Sequence, residues 1–182
     1  MDKGTRTMKI FKIIIDILLL IDTLLVVNID ITGHFIHELL GITMAILLLI
    51  HIVTNWNWVK NVTKNFKKVN NTTKIMYVVN LLTMIVYFGA IIFGVVISHE
   101  LFKFETSSNY KFVLTHIIFG RLSILVMFLH VGMHLDRMFR KIKSKKIITL
   151  LYIIYILIAV FSSIYSVYTL THSFQWAMVF SI

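Results

Sequence analysis

Five apolar stretches, each about as long as a membrane-crossing helix, constrain this chain more than any other feature. They run over about residues 10–29, 35–56, 75–98, 112–135 and 147–170. A helix needs about 20 mostly apolar residues to cross the hydrocarbon layer of a bilayer. Within lipid every backbone polar group must find a partner inside the protein, which a single helix achieves. The pattern therefore predicts an all-α integral membrane helical bundle with five transmembrane helices.

The composition agrees with a membrane chain and excludes several other classes. Of the 182 residues, 58% are hydrophobic and 14% are charged, whereas soluble domains average about 25% charged residues. The connecting segments are too short to hold a soluble domain, so we expect residues 1–182 to form a single membrane domain. The chain contains no Cys, which excludes disulfides, thiolate-ligated iron–sulfur clusters and thioether-attached haem.

Basic residues alternate between the segments that connect the apolar stretches. Fifteen of the eighteen Lys and Arg residues fall in the N-terminal tail, the second loop and the fourth loop, and residues 171–182 carry none. Positive charge in short loops marks the cytoplasmic side of a membrane. We therefore expect a cytoplasmic N-terminus and an outside C-terminus. The net charge of +10 then reflects cytosolic loops, and no nucleic-acid partner is expected.

Four histidines recur at one interval on the second and fourth stretches. His37 and His51 are 14 residues apart, and so are His116 and His130. On a helix this interval is about 21 Å of rise and about 40° of rotation, so each pair shares a face. The two stretches cross the membrane in the same direction. We therefore expect His37 and His116 at one depth near the outer side, and His51 and His130 at one depth near the inner side.

Two imidazoles at equal depth on facing helices are the arrangement that a bis-histidine haem needs. The flat macrocycle lies between the helices, and its iron takes one ring nitrogen on each axial face. Gly41 and Gly120 each follow the outer histidine by one helical turn, and they would leave room for the porphyrin. The pattern predicts two non-covalent b-type haems in a four-helix core, with a fifth span beside it.

Other assignments of these histidines stay open. A single histidine inside a membrane is often only hydrogen-bonded between helices. His134 lies four residues after His130 and shares its face, so it is an alternative inner ligand. His34 lies three residues before His37 and is an alternative outer ligand. Four histidines at two equal intervals nevertheless favour ligation, because polar groups inside a membrane are expensive and usually functional.

Charged residues inside the predicted spans also need partners. Asp22 and Arg121 each lie about 15 Å from a membrane boundary, near the midplane. Charges at that depth usually pair, so we expect either an Asp22–Arg121 ion pair or contact between Arg121 and a haem propionate. Glu38 directly follows His37. It is an acceptor for a ligand, a proton relay or a carboxylate favoured at a helix start.

Several of these motifs together resemble a known family. The run Thr32–Gly41, then His51, then Asn55-Trp56-Asn57-Trp58, resembles a bacterial family of small membrane proteins described as a cytochrome-b-like domain of unknown function. The run from His130 to His134 resembles its second motif, His-x-Gly-x-His. The resemblance covers about residues 10–140. More distantly, the equal intervals on parallel helices resemble the haem helices of respiratory cytochrome b.

The resemblance implies a ligand set and a location. The implied ligands are His37, His51, His116 and one of His130 or His134, and the implied location is the bacterial cytoplasmic membrane. Leu135 follows His134 where the family is expected to have an aromatic residue, so the inner ligand stays open between the last two.

We expect electron transfer across the bilayer, between a quinol or outer-side partner and a redox partner protein. Because no nucleotide-binding motif is present, the chain is expected to be an electron-transfer subunit rather than a complete oxidoreductase. One alternative is a transporter or metal permease that uses the intramembrane His, Asp22 and Arg121. Another is a membrane subunit without catalytic activity.

Overall fold

A computed structural model describes residues 3–27, 29–104, 109–135, 139 and 142–179. Within these residues the chain is helical and contains no strand, which confirms the predicted all-α class. The helices are Lys3–Val26 (α1), Ile29–Lys64 (α2), Asn71–Val96 (α3), Tyr110–Gly132 (α4) and Lys145–Val179 (α5). Three basic residues used in the topology prediction, Arg137, Arg140 and Lys141, lie outside the described residues, as does the end of the C-terminal tail.

Four of these helices are long and apolar enough to cross a membrane. They are α2 from Thr32, α3, α4, and α5 as far as His172. Large apolar side chains project outward along them; Phe161 of α5, for example, is 75% exposed. Hydrocarbon stabilises such a surface, whereas water penalises contiguous apolar patches. The chain thus has the character of a multi-pass membrane protein.

The first predicted span is a helix, but it differs from the other four in charge. Its apolar stretch contains Lys12, Asp16 and Asp22, so it does not meet the same measure of apolarity. Lys12 Nζ donates to Asn55 Oδ1 of α2 at 3.2 Å. Part of the polar character of α1 is therefore satisfied by α2. Whether α1 crosses the membrane stays a prediction.

The second helix is longer than its apolar stretch and contains a break. It continues to Lys64, beyond the expected end near residue 56, because hydropathy marks the apolar part of a helix and not its polar final turns. At its start Gly33 has φ 73° and ψ 166°, in the left-handed half of the backbone map that glycine adopts without a Cβ penalty. The regular helix that carries His37 and His51 therefore begins at His34.

The described chain forms two compact units. One combines Met1–Lys74 with Ile91–Val113, and the other combines Ile75–Ala90 with Leu114–Ile182. In the first unit α1 and α2 pack as an antiparallel pair.

In the second unit α4 contacts both α3 and α5. The ring of Phe119 on α4 packs against Gly89 on α3, and the Tyr155 hydroxyl of α5 donates to the carbonyl of Phe128. Apolar side chains on the last turns of α4 are among the most buried in the molecule: Ile124, Val126, Met127 and Phe128.

Candidate functional site

Two predicted ligands lie on α2, and α1 holds both of their imidazoles. His37 Nδ1 is 2.7 Å from the carbonyl oxygen of Val26. His51 Nδ1 is 2.7 Å from Asp16 Oδ1. The end of α1 thus meets the start of α2, and the middle of α1 meets a later turn of α2. We call this antiparallel pair the first hairpin.

The other two predicted ligands lie on α4, and α3 holds them in the same way. His116 Nδ1 is 2.9 Å from the carbonyl oxygen of Ala90. His130 Nδ1 is 2.9 Å from Asn80 Oδ1. We call α3 and α4 the second hairpin, and we call His37, His51, His116 and His130 the four anchored histidines.

The two hairpins repeat one pattern of anchoring. Val26 and Asp16 are ten residues apart on α1, and Ala90 and Asn80 are ten residues apart on α3. In each hairpin the first histidine meets a backbone carbonyl and the second meets a side-chain oxygen. The sequence reveals the 14-residue interval because it joins residues of one type. It does not reveal the ten-residue interval. One acceptor in each hairpin is a backbone carbonyl, which every residue carries, and the other acceptors, Asp16 and Asn80, have different side chains.

This anchoring determines which ring nitrogen carries the lone pair. Carbonyl, carboxylate and amide oxygens accept hydrogen bonds, so each Nδ1 of the four anchored histidines is the donor and carries the proton. In the neutral imidazole the lone pair then lies on Nε2. Histidines that ligate metals almost always donate their other ring N–H to such an acceptor, which fixes the tautomer and the ring orientation. The donor set fits iron ligation through Nε2.

The glycines one turn after each outer histidine border open space. Within the described part of the chain, no heavy atom lies within 4 Å of a Cβ added at Gly41 or Gly120. Two other helical glycines differ, because an added Cβ would lie 2.7 Å from the Phe119 ring at Gly89 and 2.9 Å from the Tyr155 hydroxyl at Gly132. Gly41 and Gly120 are therefore not needed for helix packing, and the space beside them is open.

The two alternative ligands lie at helix ends. His134 lies just beyond the last residue of α4, and its backbone N–H donates to the Val131 carbonyl at 2.9 Å. Its ring centroid is 4.9 Å from that of His130, with the rings tilted by 61°. His34 is exposed and directly follows the break at Gly33.

Arg121 contacts α5 within the second unit. Its guanidinium carbon lies 5.9 Å from the centroid of the Tyr165 ring, a cation–π distance. Its backbone carbonyl accepts from Ser166 Oγ at 2.8 Å. Asp22 is buried in the first unit. The Asp22–Arg121 pair and the contact between Arg121 and a propionate both stay predictions.

Glu38 has a role that sequence reasoning missed. Its carboxylate accepts from the Ser98 hydroxyl at 2.7 Å and from the backbone N–H groups of His99, Glu100 and Leu101 at 2.8 to 3.2 Å. Ser98 is 2% exposed. We call this contact the Glu38 clamp; it fastens the segment after α3 to the start of α2. The one signal in the sequence is an acidic residue in an apolar helix, which requires a partner but does not name it.

Bare metal ions and haem require different donor sets. Among the described residues, no group of three or more His, Cys, Asp or Glu side chains is placed to hold a metal ion. Axial ligation of a haem iron uses two imidazoles, because the four porphyrin nitrogens occupy the other positions.

The motif resemblance stays a prediction. Comparisons with protein-family models, with curated proteins and with solved structures found no match to this chain.

Proposed function

We propose that this chain is a dihaem b-type cytochrome that carries electrons across a bilayer. One observation supports the proposal above all others. Each of the four histidines that the equal intervals single out is anchored through its Nδ1 atom, in two hairpins of one design. A histidine that serves only packing needs a partner for its N–H, but it has no reason to recur at the same place in both hairpins.

The ligand pairs follow from the spacing. His37 with His116 ligates the outer haem, and His51 with His130 ligates the inner haem, because each pair lies at one predicted depth. The anchoring supports His130 as the inner ligand, since His130 lies within α4 and donates to Asn80 as the other three donate to their acceptors. The same reasoning favours His37 over His34.

The chain supplies ligation, burial and orientation. The four anchored histidines present Nε2 to the iron, and Gly41 and Gly120 leave space for the porphyrin edge. Arg121, near the predicted midplane, offers a positive charge to a propionate carboxylate. Haem held by these residues would supply one-electron chemistry between the ferric and ferrous states. The apolar surroundings exclude water and favour the iron state of lower charge.

The proposed setting is a bacterial cytoplasmic membrane crossed five times, with the N-terminus in the cytoplasm and the C-terminus outside. The electron partners are a quinol or outer-side protein at one face and a redox protein at the other. The chain acts as a subunit or relay, because it carries no nucleotide-binding motif that would let it draw electrons from a soluble dinucleotide.

A reduced-minus-oxidised visible spectrum of the detergent-purified chain, with haem quantified per chain, tests the proposal. We expect a b-type spectrum and two haems per chain. His37→Ala or His116→Ala removes the outer haem, because the one remaining imidazole holds haem far less tightly. His51→Ala or His130→Ala removes the inner haem for the same reason. The matched controls are His34→Ala and His134→Ala, which change neighbouring histidines and should retain both haems.

Two outcomes would contradict the proposal. One is a chain that is folded but contains no haem after expression with ample haem supply. The other is equal loss of haem in the control variants and in variants of the four anchored histidines. In either case, metal uptake into vesicles would test the transporter alternative.

A further inference from the structure

The four acceptors that anchor the histidines are not equivalent. His37 and His116 donate to backbone carbonyls, and His130 donates to a side-chain amide. Of these four anchoring bonds, only that of His51 ends on a carboxylate, that of Asp16, at 2.7 Å. Asp16 and Asn80 occupy equivalent places in the two hairpins, so the hairpins differ by one charge at this position.

That charge changes the electronic character of the imidazole. A carboxylate is a stronger acceptor than a carbonyl or an amide, and it draws the Nδ1 proton toward itself. The imidazole then gains anionic character, and Nε2 becomes a more basic ligand. A more basic axial ligand stabilises ferric over ferrous iron, and a nearby negative charge acts in the same direction.

Neighbouring contacts hold this arrangement in place. Four residues before Asp16 on α1, Lys12 donates to Asn55 Oδ1 at 3.2 Å. Asn55 in turn donates through its side-chain nitrogen to the carbonyl of His51 at 2.9 Å. The turn of α2 that carries His51 is therefore fixed to the face of α1 that carries Asp16. The 2.7 Å contact between His51 and Asp16 is thus supported by the hydrogen bond between Lys12 and Asn55.

We propose that Asp16 is a positioning and tuning residue that lowers the reduction potential of the haem ligated by His51 below that of the haem ligated by His37. This inference rests on the proposed function. Both anchors of the outer haem are neutral, because they are the backbone carbonyls of Val26 and Ala90. Among the four anchors, only Asp16 adds a charge. Electrons then pass spontaneously from the His51 site to the His37 site, which is outward in the proposed topology.

The equivalence of Asp16 and Asn80 provides a matched pair of variants. Asp16→Asn keeps an oxygen that accepts from His51 and removes the charge. Asn80→Asp adds a charge beside His130 at the equivalent place. Potentiometric titration of the purified, haem-loaded chain, followed by visible absorbance, measures both potentials. We expect Asp16→Asn to raise the lower of the two reduction potentials and so to narrow the difference, or gap, between them. We expect Asn80→Asp to widen this gap.

Two controls separate tuning from a structural effect. Asp16→Glu retains a carboxylate. The gap between the two potentials should therefore stay closer to the wild-type value in Asp16→Glu than in Asp16→Asn. Glu100→Gln removes an exposed carboxylate that takes part in none of the four anchoring bonds, and it should leave the gap unchanged. A structural role for Asp16 would instead lower haem content or thermal stability without moving one potential selectively.

The outcomes distinguish this inference from the proposed function. Absence of haem from the unchanged protein would overturn the proposed function. Two haems whose gap is the same in the unchanged protein and in Asp16→Asn would overturn the inference alone. Selective movement of the higher potential by Asp16→Asn would also overturn it, because the carboxylate would then act on the wrong haem.

Discussion

At the scale of single residues, the anchors of the histidines serve two purposes. An imidazole N–H left without an acceptor in hydrocarbon costs about 1–3 kcal/mol, so each hydrogen bond stabilises its hairpin. The same bond also fixes which ring nitrogen carries the proton and restrains the orientation of the ring. Asn80 illustrates both effects, because its side-chain oxygen on α3 accepts from His130 at 2.9 Å.

The glycines beside the outer histidines give a prediction at this scale. Gly41→Val or Gly120→Val places a branched side chain in space that is open in the present structure. The helix itself tolerates the change, because the helix propensities of valine and glycine differ by only about 0.5 kcal/mol. We expect the outer haem to be lost while the helical circular dichroism signal and the thermal midpoint stay close to those of the unchanged apoprotein. Haem per chain and thermal unfolding are the two measurements.

Gly89→Ala is the contrasting variant. Its Cβ would lie 2.7 Å from the Phe119 ring, and overpacking of this kind destabilises by about 1–3 kcal/mol. It should lower the thermal midpoint and leave haem per folded chain unchanged. If Gly41→Val and Gly120→Val retained both haems, the space beside these glycines would not be the porphyrin site.

At the scale of helices and loops, the Glu38 clamp is the main tertiary contact described outside the hairpins. A single carboxylate accepts from one hydroxyl and three backbone N–H groups in the four residues that begin with Ser98. A second contact supports it, because Ser98 Oγ also accepts from the Phe102 backbone N–H at 3.0 Å. The segment after α3 is thereby held in one conformation at the start of α2.

Glu38→Gln should loosen this segment. Hydrogen bonds to a charged group contribute about 1.5–3 kcal/mol each, and the amide retains one acceptor oxygen while presenting its own N–H to donors. We expect a loss of about 2–3 kcal/mol in the free energy of unfolding and faster proteolysis between α3 and α4. Glu100→Gln is the matched control, because it removes a carboxylate two residues after Ser98 and leaves the acceptor in place. Equal effects of the two variants would show that overall charge, and not the clamp, stabilises the segment.

The elements show how far sequence alone predicts this protein. The helices were predictable, because apolar runs of this length have no other stable form in lipid, and so were the histidine pairs, because identical residues at equal intervals are visible. The acceptors of the four anchored histidines were not predictable. Val26 and Ala90 act through backbone carbonyls, and Asp16 and Asn80 have different side chains. The Glu38 clamp was also hidden, because backbone N–H groups leave no mark in a sequence. The end of α2 at Lys64 escaped prediction because its last turns are polar, and hydropathy does not mark polar turns.

At the scale of the whole molecule, the number of crossings determines the positions of the two termini. If α1 crosses the membrane with α2 to α5, the termini lie on opposite sides. If α1 did not cross with them, four crossings would place the termini on one side, but the packing of α1 along α2 favours five crossings. The three charged residues in its apolar stretch make α1 the element on which the topology depends, and its hydrogen bonds to α2 allow such charges to enter the bilayer.

Reporter fusions at the two termini test this topology. We expect a fluorescent protein that matures only in the cytoplasm to be active at the N-terminus, and an alkaline phosphatase that matures only outside to be active at the C-terminus. The reciprocal fusions should be inactive. Cytoplasmic reporters active at both ends would contradict the five-span arrangement.

The repetition of one anchoring pattern in two hairpins has a consequence for biogenesis. A nascent chain releases its hairpins in order, and each hairpin already contains both the histidines and the groups that orient them. Each hairpin therefore presents two oriented imidazoles as soon as it has formed in the membrane. Under the proposed function, the entropy of ordering these side chains is lost during membrane insertion rather than during haem capture.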